Sequence, residues 1–181
     1  MAEQLLPGYS IRQGSTLDRA LLVKFMQRTY QDIFSNQQDF SHLDQTVRQY
    51  FSGDTPLWWV VEEEGEESRG GNNKFFPSAS SPPFPHSSTS PIACLWVGNA
   101  IDQVQGNRHA HIFILYVVPE HRRRGIGTAL MRYVENWATQ RGDRQIGLQV
   151  FESNKPALNL YNQLGYQTQS LWMVKFLSAE T

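Results

Sequence analysis

The chain has 181 residues, of which 40% are hydrophobic and 12% aromatic, and this composition predicts one globular domain with a substantial core. The formal net charge of −1 argues against nucleic acid as a partner, because no overall basic field would attract it. No apolar run approaches the ~18 residues of a transmembrane helix, and the N-terminus lacks the features of a signal peptide, so we expect a cytoplasmic protein without a membrane partner.

The first part of the chain predicts two strands and two helices. Residues 9–13 alternate between apolar and polar types, which is typical of a short strand. Ser15 and Asp18 have the spacing of a capping box, and a helix is expected after them. A second, weaker helix is predicted for residues 43–51, and the apolar run at 57–61 predicts a strand. The first helix has an apolar face that comprises Leu22, Phe25, Met26, Thr29, Tyr30 and Ile33.

A long segment of low complexity follows. Residues 62–91 begin with an acidic run and end in a Pro- and Ser-rich stretch. Such a composition buries too little apolar surface to offset its chain entropy, so we predict a disordered insertion at about residues 63–91. Too little chain precedes this insertion to form a complete core. We therefore expect it to connect two strands of one sheet, within a single domain that spans residues 1–181.

Two strands joined by a hairpin are predicted next, over residues 92–98 and 109–118, with the turn at 102–107. Cys94 lies in the first of them and is interpreted as a small buried side chain. Because it is the only cysteine, an intrachain disulfide is excluded, and no cysteine cluster indicates a metal site. We expect no metal.

An Arg- and Gly-rich turn separates the second of these strands from an amphipathic helix. The turn has the pattern R-x-x-G-x-G at residues 122–127, and apolar residues then recur at helical spacing up to Trp137. The first N–H groups of a helix lack backbone partners, glycines allow close approach and arginines add positive charge, so a pyrophosphate would be well held here. A Walker loop and a dinucleotide fingerprint are excluded, because their further residues are absent. The alternative interpretation is a solvated turn at a helix start.

Two further strands are predicted towards the end of the chain. Ile146, Leu148 and Val150 alternate with polar residues, and residues 171–177 form an apolar closing segment. The alternation of the closing segment places Lys175 on its apolar face, which is a local conflict.

A helix is predicted between these two strands. It begins at residues 153–156, where Ser or Asn caps it and Pro fits its first turn, and Gly165 ends it. Taken alone, Asn154 is a helix cap and Tyr161 is a core tyrosine.

Two of these motifs resemble the signature of the GCN5-related N-acetyltransferase (GNAT) family. The pattern at 122–127 resembles the family's acetyl-CoA pyrophosphate loop, and residues 150–166, VFESNKPALNLYNQLGY, resemble the other half of the signature. The matching residues of the second motif are Val150, Asn154, Ala157, Tyr161, Leu164, Gly165 and Tyr166. Their order and separation both fit, and together they cover roughly residues 109–166.

The resemblance implies an α/β fold with a mixed central sheet of about six or seven strands, splayed between strands 4 and 5, and about four flanking helices. It implies acetyl-CoA as co-substrate in that opening, where the pantetheine pairs with the strand edge at Leu115, Tyr116 and Val117. Asn154 is implied to contact the cofactor arm. The residues implied to hold the pyrophosphate are Arg122, Arg123, Arg124, Gly125, Ile126, Gly127 and Thr128.

The resemblance also indicates an acid and a base. Tyr161 is similar to the family tyrosine that donates to the departing thiolate. Gln149 stands where some relatives have a Glu base, and glutamine cannot usefully accept the proton. Other relatives place a Glu or His at the position of His111, whose neutral imidazole suits the task; the alternative is a structural histidine. His109 shares its strand face and is a candidate for a relay through water.

The implied activity is an acetyl-CoA-dependent N-acetyltransferase that acts on a primary amine by direct attack on the thioester, as a monomer or homodimer. The acceptor is a protein N-terminus, a lysine, a polyamine or a small amine. The alternative is an acyl-CoA-binding domain of the same fold with weak or no catalysis. Nucleic-acid binding through residues 122–124 and Arg132 is disfavoured by the net charge. The resemblance also implies that the first two helices and their connection border the acceptor site, so four aromatic residues there are candidates for its lining; the alternative is that they pack in the core. They are Tyr30, Phe34, Phe40 and Tyr50.

Overall fold

The computed structural model describes residues 2–63 and 90–177. Most of the predicted insertion at 63–91 lies outside the described residues. The chain divides into two compact units, Met1–Gln149 and Val150–Thr181.

The larger unit contains a mixed sheet, as the family resemblance implies. Its strands are β1 (Ala2–Leu6), β2 (Tyr9–Gln13), β3 (Leu57–Glu62), β4 (Ala93–Ile101), β5 (Arg108–Val117) and β6 (Ile146–Leu148). They lie side by side in sequence order, and β1 to β5 pair antiparallel. The last pair, β5 and β6, is parallel. The described residues thus form six strands, within the predicted range of six or seven.

The strand β1 is the element that the sequence interpretation missed. It pairs with β2 through a tight turn that includes Pro7 and Gly8, and Gly8 has a φ of 79°. Pro-Gly marks such turns because Gly adopts positive φ without steric cost. This dipeptide was the available signal.

Two helices cover one face of the sheet, α1 (Arg19–Ile33) and α2 (His42–Tyr50). The predicted capping box is present: the Ser15 N–H donates to the Asp18 carboxylate over 2.8 Å at the turn that leads into α1. The side chains of this layer form one buried cluster with β3, β4 and β5, which includes Leu22, Phe25, Leu43, Val47, Trp59, Trp96, Ile114 and Tyr116. Cys94 is buried in the same cluster as predicted, and burial raises the pKa of its thiol.

A third helix, α3 (Ile126–Gln140), packs against the sheet through Trp58 of β3. The Trp58 ring makes edge contacts with Tyr133 and Trp137, at centroid distances of 5.6 and 5.3 Å. Trp59, the next residue of β3, makes a ring contact with Phe25 of α1 instead. Successive strand residues point to opposite faces, so this tryptophan pair joins the two helical layers to one strand. Gly142 follows α3 with a φ of 88°, in the left-handed region that favours glycine.

The smaller unit contains α4 (Lys155–Gln163), which begins where the sequence predicts it. The predicted closing strand at 171–177 is wrong. This segment has no strand pairing among the described residues, and its large apolar side chains are exposed. A local apolar pattern predicts a strand only where a neighbouring backbone supplies the ladder, and the misplaced Lys175 already weakened the pattern. Val150 likewise lies beyond the end of β6.

Candidate active site

The β5–β6 pair opens along its length. The register joins Ala110 to Ile146 and Ile112 to Leu148, and β6 ends there. The strand β5 continues to Val117, and its other edge stays paired with β4 as far as Ala93. Beyond Ile112, β5 therefore has no strand neighbour on the β6 side among the described residues. This is the splay that the resemblance implies between strands 4 and 5, which are β5 and β6 here because β1 was not predicted.

The backbone polarity of the open edge follows from one hydrogen bond. The Val118 N–H donates to the Ile92 carbonyl, across β4, over 2.9 Å. Backbone groups alternate in direction along a strand, so Tyr116 also faces β4, whereas Leu115 and Val117 face the open side. The Val117 carbonyl accepts from Nε of Arg122 over 2.9 Å. The N–H and C=O of Leu115 and the N–H of Val117 form the exposed edge.

The turn after β5 presents a run of backbone amides. The first N–H of α3 that donates to the backbone is that of Ala129, to the Gly125 carbonyl over 2.9 Å. The N–H groups of residues 123–128 have no backbone acceptor within the part of the chain that the structure describes. Arg123 and Gly125 have φ values of 62° and 83°, so the backbone alternates into the left-handed region. Such alternation gathers amides into a concave nest, and the dipole of α3 adds positive potential.

The three arginines of the turn are not equivalent. The guanidinium of Arg122 pairs with Asp32 of α1 and lies over the ring of Tyr116, whose hydroxyl donates to the same carboxylate over 3.3 Å. Arg124 donates to the hydroxyl of Tyr9 over 2.9 Å. Arg123 is exposed and has no charged partner among the described residues. The first and third arginines therefore tie the turn to the sheet and α1, while Arg123 offers its charge to solvent.

His111 and His109 flank one position of β6. A Cβ added at Gly147 would lie 3.1 Å from Nε2 of His109 and 3.5 Å from Nδ1 of His111, so the missing side chain leaves room for both rings. His109 is buried, and its Nδ1 lies 3.3 Å from Nε2 of Gln145. Burial, and then the charge of His109, lowers the pKa of His111. Because desolvation disfavours imidazolium, His111 is neutral over a wider pH range than a free histidine.

A bulge next to His111 was missed by the sequence interpretation. Trp96 pairs with Ile114 and Val97 pairs with Ile112, which leaves Phe113 as an extra residue in β5. The Phe113 ring lies over Gly98, where an added Cβ would be 2.1 Å from Cε2 of Phe113. Gly98 in the middle of a strand was the available signal, because such a glycine often marks a bulge or a close approach.

The aromatic residues proposed for an acceptor pocket have different environments. Phe40 is buried in the core, and Tyr30 contacts both Phe34 and Phe40 at a centroid distance of 6.1 Å. Tyr50, in contrast, is 48% exposed and its ring lies 5.9 Å from that of Phe113.

Two predicted site residues lie in the smaller unit. Asn154 caps α4, where its side-chain oxygen accepts from the Ala157 N–H over 3.3 Å, and its amide NH₂ remains a possible donor to a ligand. Burial raises the pKa of Tyr161 to about 12, and its ring contacts that of Tyr166. Its hydroxyl is therefore protonated at any physiological pH. Gln149, at the end of the larger unit, is exposed and lies outside β6.

Comparison with known proteins identifies the family. The sequence profile of the Acetyltransferase (GNAT) family matches residues 23–166, well over half of the chain. The chain belongs to this GNAT family. Its similarity extends to a crystal structure described as a predicted acetyltransferase with acetyl-CoA from Clostridium acetobutylicum, with 18% identity and a TM-score of 0.64, over 93% of this chain and 96% of that one. At this identity the likeness shows the fold alone.

Curated relatives match over shorter stretches. An uncharacterised N-acetyltransferase of Methanocaldococcus jannaschii is 35% identical over 78 residues, 43% of this chain and 33% of that protein. A thialysine N-epsilon-acetyltransferase of Mus musculus is 40% identical over 60 residues, 33% of this chain and 35% of that protein. The chain spans about a third of the length of these relatives.

The described residues contain neither a cluster of metal ligands nor a membrane-spanning helix. Within residues 2–63 and 90–177, no group of three or more His, Cys, Asp or Glu side chains is arranged to hold a metal ion. Across the same ranges, none of the helices has the length and apolar character that a membrane span requires.

Proposed function

We propose that the protein is an N-acetyltransferase that uses acetyl-CoA and transfers its acetyl group to a primary amine. The observation that carries this proposal is the conjunction, within one unit, of an open strand edge at Leu115 and Val117 with the amide run at 123–128. The open edge can pair with an extended chain that carries amides, and the amide run can hold a pyrophosphate. GNAT membership supports the same activity.

The residues of this chain fit acetyl-CoA in two respects. The amides of residues 123–128 need acceptors, and phosphate oxygens are suitable ones. The Leu115 N–H and C=O and the Val117 N–H suit the amide groups of a pantetheine arm, with Tyr116 packed between them. Within the turn, Gly125 to Thr128 and Arg123 contact the phosphates, and Arg122 and Arg124 position the turn. Asn154 contributes its free amide group to the arm.

Proton transfer requires two side chains in opposite states. Acetyl-CoA supplies an acetyl group already activated as a thioester, so the attacking amine has only to be neutral. His111 takes the proton of the amine, since its lowered pKa keeps the imidazole unprotonated at neutral pH. Tyr161 supplies a proton to the departing sulfur, since its raised pKa keeps the hydroxyl protonated.

A second function is favoured by Gln149. Because a glutamine stands where some relatives have a Glu base, the domain would then bind acyl-CoA with weak or no catalysis. The two functions share the cofactor site and differ only in turnover.

Thiol release separates these functions. Purified protein is incubated with acetyl-CoA and each member of a panel of primary amines, and free CoA is measured against a no-amine control. An N-acetyltransferase gives amine-dependent release that follows saturation kinetics, with acetylated amine formed in equal amount. Acetyl-CoA binding by calorimetry without amine-dependent release across the panel would favour the binding domain. Absence of binding would remove both.

A further inference from the structure

One surface beside His111 consists of aromatic rings. Phe113 and Tyr50 are 37% and 48% exposed, and their centroids are 5.9 Å apart. Phe113 also packs on the buried Trp96 at 4.6 Å and meets the His111 ring edge-on at 5.5 Å. We call the surface formed by Tyr50, Phe113 and the edge of His111 the aromatic wall.

The backbone is adapted to expose this wall. The bulge at Phe113 re-aims that side chain, and Gly98 on the paired strand removes the Cβ that would occupy the position of its ring. Bulges of this kind occur next to active sites, where they redirect a side chain. The Phe113 ring packs on Trp96, yet Phe113 stays 37% exposed next to the 48% exposed Tyr50, so the two rings form a small accessible apolar patch.

The wall adjoins both parts of the proposed reaction. His111 is its edge, and the open edge of β5 begins two residues beyond Phe113, at Leu115. A molecule that presents its amine to His111 would lay its neighbouring atoms on Phe113 and Tyr50.

Charge on the surrounding elements disfavours a polycationic amine. The strands β4 and β5 contain no carboxylate, and α1 and α2 contain one each, Asp32 and Asp44. Asp32 pairs with Arg122, and Asp44 pairs with Arg48 over 2.7 Å. A carboxylate paired with an arginine attracts a second cation less, because the two charges of the pair largely cancel.

We infer that the acceptor is a primary amine with an aromatic or similarly bulky apolar group close to its amino nitrogen, bound on the aromatic wall, and that Phe113 is the main specificity-determining residue. This inference rests on the proposed function and narrows its substrate class. Apolar surface buried on the phenyl and phenol rings discriminates by ~10–200-fold between acceptors that do and do not carry such a group.

The test compares acceptors in three variants. Values of kcat/KM are measured for 2-phenylethylamine, ethylamine, spermidine and kanamycin with the unmodified protein, with Phe113→Ala and with Tyr50→Ala. Phe176→Ala removes an aromatic ring from the smaller unit, away from the aromatic wall, and serves as the control; Phe176 is 93% exposed. Melting curves and acetyl-CoA affinity show which variants are folded, and Phe113→Leu replaces Phe113→Ala if the latter is not.

We expect kcat/KM for 2-phenylethylamine to exceed that for each of the other amines by at least ~10-fold. Phe113→Ala should remove most of this preference, whereas kcat/KM for ethylamine should change less than ~3-fold. Tyr50→Ala should have a smaller effect in the same direction, and Phe176→Ala none. Preference for spermidine or kanamycin would overturn the inference and leave the proposed function standing. A folded Phe113 variant with unchanged selectivity between acceptors would also overturn the inference. If that variant also had a lowered melting temperature, the ring would contribute to stability and not to acceptor binding. No turnover with any amine would remove the proposed function itself.

Discussion

The turn at residues 122–128 and the His111–Phe113 stretch belong to the same strand–turn–helix segment but present different groups to a ligand. The turn presents backbone amides that no described backbone group accepts from, so the groups it offers to a ligand belong to the main chain. The His111–Phe113 stretch presents an imidazole and a phenyl ring whose positions depend on a bulge and on two glycines, Gly98 and Gly147. The turn suits a ligand that stays the same in every reaction, such as acetyl-CoA. The rings suit discrimination between different acceptor amines.

This difference leads to distinct expectations for mutations. Changes in the turn should weaken acetyl-CoA binding whatever the acceptor. Changes in side chains that move protons or touch the acceptor should alter turnover or selectivity and leave acetyl-CoA affinity intact.

The largest effect on turnover is expected from Tyr161→Phe. The substitution removes only the hydroxyl whose raised pKa, about 12, keeps it protonated, so kcat should fall by ~10² or more. Acetyl-CoA affinity should change little, since the ring remains. Steady-state kinetics and calorimetry on the same preparation measure the two quantities. A fall in affinity with unchanged kcat would mean that Tyr161 belongs to the binding apparatus rather than to the chemistry.

Gly125→Val should change acetyl-CoA affinity rather than the proton-transfer chemistry. Gly125 has a φ of 83°, and a β-branched side chain there strains the turn and obstructs phosphate approach. We expect acetyl-CoA to bind at least ~10-fold more weakly, about 1.4 kcal/mol. Gly142→Val is the matched control, because Gly142 has a φ of 88° and open space around it but lies at the other end of α3. Equal affinities in the two folded variants would argue against phosphate binding at the turn.

His111→Gln tests the base through its pH dependence. With a lowered pKa, protonation of His111 should produce an acidic limb in kcat/KM centred below the ordinary histidine value of about 6.5. Activity is therefore present above that pKa and lost as the pH falls through it. The variant should be slower and lack this limb. If both the rate and the limb persist, His111 is structural, and an already neutral amine or a water chain replaces it.

The smallest effect is expected from removal of residues 64–90. The antiparallel partners β3 and β4 flank this segment, and Val60 pairs with Ala93, so a short Gly/Ser connection can join their ends. Each halving of a loop's length changes the entropic free energy of loop closure by only about 0.6 kcal/mol. Melting temperature and acetyl-CoA affinity should be nearly unchanged. Loss of the cooperative melt or of binding would show that the segment contributes to the core or to the site.

Features that depend on residues close together in the sequence could be predicted, and features that depend on strand pairing could not. The capping box at Ser15 and the Arg/Gly turn depend on residues a few positions apart, so their chemistry is contained in the sequence. The bulge at Phe113 depends on how β5 pairs with β4, residues far apart in the chain, and a single strand pattern cannot specify that register. The wrong strand at 171–177 has the same cause, since apolar alternation does not supply a partner.

The most direct test of the account uses amide proton–nitrogen NMR spectra during titration with acetyl-CoA. The backbone amides of residues 123–128, together with those of Leu115 and Val117, should show the largest shift changes, because they are the donors that we propose bind acetyl-CoA. The amides of Val104 and Gln105, which are bound to the Asp102 side chain in the 102–107 hairpin, should hardly move. Saturable binding that leaves residues 123–128 unchanged, or shifts centred elsewhere, would contradict the assignment of this turn as the acetyl-CoA site.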